Sequence, residues 1–196
     1  ESGTLYSKQE LTELYTVCQN HNIPLFIDGA RLGYGLVAKK NDVTFEDIAN
    51  LCDVCYIGGT KVGALFGECV VILNDLYKKD FRYAIKQHGG MLAKGRMLGI
   101  QFEELFKDNR YLTISKHAID MADILTEGFQ SKGYHFYFPA ETNQLFPIFE
   151  NAKLEELSKE FAFTPWAKID ETHTAVRFVT SFATKRENVE YLLTKI

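Results

Sequence analysis

Two side chains are of types that could do chemistry as a pair: the carboxylate of Asp28, in "LFIDGA" (residues 25–30), and the amine of Lys61, in "YIGGTKVGALFGE" (56–68). Each follows a short apolar run and is set beside glycine. An ammonium is expensive to desolvate, so a lysine in a tight turn leaving a buried strand needs a reason. A primary amine attacks a carbonyl carbon and forms a Schiff base with it. A carboxylate can hold a proton on a ring nitrogen. Taken singly, neither residue is informative: Asp before Gly is often a turn former, and a loop lysine is ordinarily solvated.

The pair gains meaning from the elements that must position it. "LFIDGA" reads as a short buried strand that stops at glycine. A Gly-containing loop, "RLGYGLVAKKND", leads to Thr44 and Asp47, a capping-type start for a short helix through Leu51. "DVCYIGG" and, after the lysine turn, "ECVVILN" read as further strands. Strand, helix, strand is the signature of a parallel sheet with crossover helices, and β-branched runs without clean alternation mean both faces are covered. Asp28 then lies at the carboxyl end of one strand and Lys61 just past the end of the next. Open α/β sheets bind ligands at that edge. Neighbouring strands are about 4.8 Å apart, which puts groups at their ends on the order of 5–10 Å apart. A pyridine ring spans that gap from its nitrogen to the carbon opposite. Pyridoxal phosphate fits: the aspartate would keep the ring nitrogen protonated and the lysine would carry the Schiff base. By geometry alone, this reading stands beside the turn-former and solvated-lysine readings.

The bulk composition excludes several classes. The chain has 196 residues, 46% hydrophobic and 24% charged, as in ordinary globular proteins. With a net charge of −4 and no basic stripe, nucleic acid is not an expected partner. Apolar runs such as "CVVIL" are too short to cross a bilayer. Cys52 and Cys55 form a C-x-x-C, but no second pair completes four metal ligands. No metal is expected, the cysteines read as buried apolar residues, and reduced thiols point to a cytoplasmic location. The opening "ESGTLYSKQE" lacks an initiator methionine and enters a helix at once, with Ser7 and Glu10 at capping-box spacing. It reads as a piece of a longer polypeptide. Residues 75–132 are helical in pattern, ending at Gly133. Beyond them "YHFYFP", "TNQLFPIF", "FAFTPWAKI" and "TAVRFVTSF" read as strands, with helices near 152–160 and 185–196.

"LFIDGARLGYGL", "FEDIANLCDVCYIGGTKVGALFGECVVI" and "KQHGGMLAKGRMLGIQFEELF" closely resemble the low-specificity L-threonine aldolase and β-eliminating lyase group of pyridoxal-phosphate enzymes. The resemblance runs along nearly the whole chain. It implies an α/β fold of the aspartate-aminotransferase type. Residues 1–109 would be the C-terminal half of the cofactor-binding large domain, with a mainly parallel sheet. Residues 110–196 would be the connecting long helix and a small α+β domain. It further implies Asp28 on the ring nitrogen, Lys61 as the covalent anchor, and Arg31 near the ring hydroxyl or the substrate carboxylate. Thr60 is expected to donate to the cofactor phosphate. The family builds its sites at subunit interfaces, so a homodimer or homotetramer is expected.

Arg177, in "TAVRFVTSF", shares a strand face with Ala175 and Val179, an apolar setting in which a fixed charge needs an anion. A structural Asp or Glu would serve. In the resembling family an arginine at this place holds the amino-acid carboxylate as a bidentate fork. The expected reaction is cleavage of L-threonine or L-allo-threonine to glycine and acetaldehyde. The alternatives are a β-eliminating lyase of the tyrosine phenol-lyase or tryptophanase kind, and a non-catalytic fragment serving only in assembly.

Overall fold

The computed structural model describes residues 2–196. It contains two compact units. The first comprises Tyr6–Leu36 and Asn41–Ile114. The second comprises residues 2–5, Val37–Lys40 and Ser115–Ile196. No helix among the described residues is long and apolar enough to cross a membrane.

In the first unit, α1 (Lys8–Asn20) begins at a full capping box in which Ser7 and Glu10 satisfy each other's backbone donors. β1 (Phe26–Gly29), α2 (Leu32–Leu36) and α3 (Phe45–Asn50) follow, α3 opened by a second capping box between Thr44 and Asp47. β2 (Val54–Gly58) leads through a 3-10 turn at Thr60–Val62 into β3 (Glu68–Ile72), and α4 (Phe81–Gln87) and α5 (Arg96–Phe106) complete the unit. The sheet order is β1-β2-β3. β1 and β2 are parallel, with Asp28 in register with Tyr56. β2 and β3 are antiparallel, with Gly58 in register with Glu68. The expected mainly parallel sheet therefore holds for the first pairing and not for the second. The cause is the lysine turn, which returns the chain beside β2 without the long crossover a parallel neighbour requires. A buried cluster of Leu11, Val43, Ile48, Cys52 and Cys55 packs under the sheet.

α6 (Arg110–Ser131) carries the chain to the second unit. There β4 (Gln144–Leu145), β5 (Ile148–Glu150), α7 (Asn151–Leu157), β6 (Thr164–Lys168), β7 (His173–Val179) and α8 (Arg186–Lys195) are arranged around β7, which pairs antiparallel with β4, β5 and β6. "YHFYFP" forms no strand; Phe136 makes one isolated bridge to Pro147. The core of this unit joins Leu125 and Phe129 of α6 to Leu145, Phe149, Val176 and Phe178 of the sheet and to Val189 and Leu192 of α8.

Candidate active site

The carboxyl ends of β1 and β2 must come close for a pair of end groups to cooperate, and the glycines there permit it. A β-carbon on Gly58 would lie 2.3 Å from the carbonyl oxygen of Ala30, so no larger residue fits that approach. Gly63 closes the 3-10 turn at φ 101°, in the left-handed region that a side chain disfavours. Between them Val62 turns fully inward and Lys61 faces solvent.

Four side chains hold the backbone of this turn. Tyr34 of α2 donates its hydroxyl to the Lys61 carbonyl. Tyr111 of α6 donates to the Gly58 carbonyl at 2.9 Å while accepting from the Gly33 amide at 3.2 Å. Both tyrosines are 1% exposed. Glu68 accepts from the Gly59 amide at 2.5 Å and from the Thr60 hydroxyl at 3.1 Å. Gln101 of α5 accepts from the Leu65 amide at 2.6 Å and donates to the Phe66 carbonyl at 3.2 Å. A turn pinned from four elements keeps its lysine backbone in one place, the preorganisation a reactive amine needs.

Asp28 stands at the end of β1. Its Oδ1 accepts from the Tyr56 hydroxyl and, at 3.0 Å, from the Ala30 amide. The Tyr56 bond is the main reason its carboxyl lies below the ordinary carboxylate value; the Ala30 amide and the Lys61 ammonium pull the same way. The same bond pushes the Tyr56 phenol up to about 12. Oδ1 thus takes both bonds, and among the described residues Oδ2 accepts none. The result is a fixed anion with an open oxygen in the same unit as a primary amine that forms no salt bridge with an acid among the described residues.

Arg31 follows β1, its carbonyl accepting from the amides of Tyr34 and Gly35 as α2 begins. The structure places Asp28, Arg31, Thr60 and Lys61 in one unit; the Thr60 hydroxyl is engaged by Glu68, so a phosphate contact requires it to switch partner. Arg177 belongs to the second unit. Its guanidinium lies over the Trp166 ring, 5.7 Å from the centroid. Among the described residues no carboxylate pairs with it, and its Nε is buried without a hydrogen-bond partner. Tyr34, Tyr56, Glu68, Gln101 and Tyr111 escape sequence reasoning, because their roles depend on strand register and helix placement. Among the described residues no group of three or more His, Cys, Asp or Glu side chains is placed to hold a metal. The four cysteines are free thiols, with Cys52 and Cys55 buried.

The sequence model of the β-eliminating lyase family matches residues 1–152. A low specificity L-threonine aldolase from a Pseudomonas species is 30% identical over 161 residues, covering 80% of this chain and 46% of that protein. The solved threonine aldolase of Leishmania major superposes with a TM-score of 0.97 at 42% identity, covering 99% of this chain and 57% of the other. An aspartate aminotransferase variant from Thermus thermophilus shares the fold, with a TM-score of 0.68 at 16% identity over 98% of this chain and 52% of that one. The chain spans about half the length of the relatives it matches.

Proposed function

The chain belongs to the β-eliminating lyase family, and from that membership we propose that it acts as a pyridoxal-phosphate-dependent aldolase. The reaction is Cα–Cβ cleavage of L-threonine or L-allo-threonine to glycine and acetaldehyde, the activity carried in the names of the related aldolases. Family members use pyridoxal phosphate, and the residues present suit it. One observation carries the reading: an aspartate kept ionised by Tyr56 and Ala30, with Oδ2 open, stands one strand from an exposed lysine whose backbone is pinned. In this assignment Asp28 holds a proton on the ring nitrogen and Lys61 supplies the covalent attachment. Arg31 would lie near the ring hydroxyl or the substrate carboxylate, and Thr60 would donate to the phosphate. When bound, the cofactor supplies an electron sink for charge developing at the amino-acid α-carbon. Product analysis tests the reading against the β-eliminating alternative: the aldolase releases acetaldehyde and glycine from threonine and leaves tyrosine unchanged. Phenol from tyrosine, with no acetaldehyde from threonine, contradicts it.

Residues 1–109 are assigned to the cofactor-binding large domain and 110–196 to the connecting helix and small domain, in a homodimer or homotetramer of cytoplasmic location. Sedimentation of the active enzyme should show at least a dimer; a fully active monomer contradicts that.

Arg177 is assigned to the substrate carboxylate. That no carboxylate among the described residues pairs with it supports this, since a half-buried guanidinium needs an anion. Lysine keeps the charge and loses the fork, so Arg177→Lys should weaken amino-acid binding by roughly 1.5–3 kcal/mol. Cofactor affinity should hardly move. Loss of stability with an unchanged substrate constant would make Arg177 a structural residue instead.

A further inference from the structure

The two faces of the β1-β2-β3 sheet differ. Ile27, Cys55 and Val71 point to the side that holds the buried cluster of Leu11, Val43 and Ile48. Side chains alternate along a strand, and residues in register share a face. Phe26, Asp28, Tyr56 and Val70 therefore stand together on the opposite face. Asp28 is exposed there, and Phe26 and Val70 are 55% and 48% exposed.

Tyr56 is the one member of this group with an apolar body and a polar tip. Its ring lies 6.0 Å from that of Phe26, tilted by 42°, and Val70 is its in-register neighbour on β3. With an apolar group on either side, packing sets the direction of the ring, and the hydroxyl at its tip reaches the Asp28 carboxylate. The phenol is also a lasting donor. The bond to Asp28 keeps it protonated up to about 12, and Glu68, the other acid near it, acts the same way.

Asp28 has a use for such a partner. Its bond from the Ala30 amide, at 3.0 Å, is the local contact of an Asx turn, made two residues along the chain. Alone, that contact holds one oxygen and lets the carboxylate plane swing about it. A second donor on the same oxygen, coming from a different strand, removes that freedom. What remains is Oδ2, with its direction fixed by the pair. Resting on the assignment of Asp28 to the ring nitrogen, we propose that Tyr56 is a positioning residue that turns Asp28 so that Oδ2 meets the protonated nitrogen. Its effect passes through Asp28 alone, and the site thereby favours a ring with nitrogen at that position.

The test uses the full-length enzyme, stripped of cofactor and reconstituted either with pyridoxal phosphate or with its deaza analogue, in which C–H replaces the ring nitrogen. Dissociation constants are read by calorimetry, without reference to turnover. Wild type should favour pyridoxal phosphate. Tyr56→Phe keeps the ring and its packing on Phe26, so its melting temperature should stay near the wild-type value. It should lower the preference about 10-fold by weakening pyridoxal phosphate alone, as expected when a hydrogen bond to a charged group is lost. Asp28→Asn should lower the preference at least as far, and Tyr56→Phe added to Asp28→Asn should change it no further. Equal weakening of both cofactors by Tyr56→Phe, or a further loss on top of Asp28→Asn, overturns the proposal in favour of a structural role. An unchanged preference overturns it outright. Should Tyr56→Phe fail to fold, loss of the preference in Tyr56→Leu is the supporting result and its retention the contrary one. A wild type that binds the two cofactors equally removes Asp28 from the ring nitrogen, and this assignment falls with it.

Discussion

Asp28→Ala should lower turnover by about a thousandfold or more while the cofactor still binds, the scale on which removal of a preorganised electrostatic group acts. The structure gives the reason. Asp28 is held by Tyr56 and Ala30 through Oδ1, so its charge is fixed in position and persists below the ordinary carboxylate range. In the proposed site its task would be to keep a proton on a ring nitrogen, without which the ring accepts electrons poorly. Binding would draw on other contacts, including the proposed covalent one, so affinity should fall far less than rate. Asp28→Asn has nearly the same shape and should be almost as slow, which separates charge from packing. Asp28 is exposed, so neither variant should unfold the protein. Near-normal turnover in Asp28→Ala, measured under cofactor saturation, would remove the residue from the site.

Lys61→Ala should be at least as slow, on the order of a thousandfold or more in turnover, as is common when a covalent nucleophile is removed. The variant should also lose the absorbance of the bound cofactor. Lys61 is exposed, and the bond that fixes its turn runs from Tyr34 to its backbone carbonyl, which alanine retains. Circular dichroism and melting temperature should therefore match the wild type. Added methylamine should restore part of the activity if the missing group is simply an amine. Full activity in Lys61→Ala would show that another lysine carries the cofactor.

The strand-end placement of both residues was legible in the sequence because strand ends are legible: "LFIDGA" and "DVCYIGG" are apolar runs closed by glycine, and each structural strand ends within a residue of the expected place. Their neighbours were not. Tyr56 meets Asp28 only because the parallel register sets them opposite, and register is a tertiary fact. "RLGYGL" reads as a loop, since two glycines weaken a helix by about 1 kcal/mol each. It nevertheless folds as α2, because Tyr34 is buried and Gly33 donates to Tyr111. "YHFYFP" has strand composition, yet its aromatic rings are spent on packing: Phe136 lies edge-on to Phe129 at 6.0 Å and Phe138 to Phe146 at 5.1 Å. The apolar setting of Arg177 was visible from Ala175 and Val179.

The central claim is that Lys61 holds the cofactor covalently, and one measurement addresses it directly. Borohydride reduction of the full-length holoenzyme should fix the cofactor in a stable secondary amine, and peptide mapping should then find the added mass in the peptide containing "GGTKVGALFGE", on Lys61. Added mass on any other lysine, or none on any peptide from an enzyme that carries the cofactor and is active, would contradict the account.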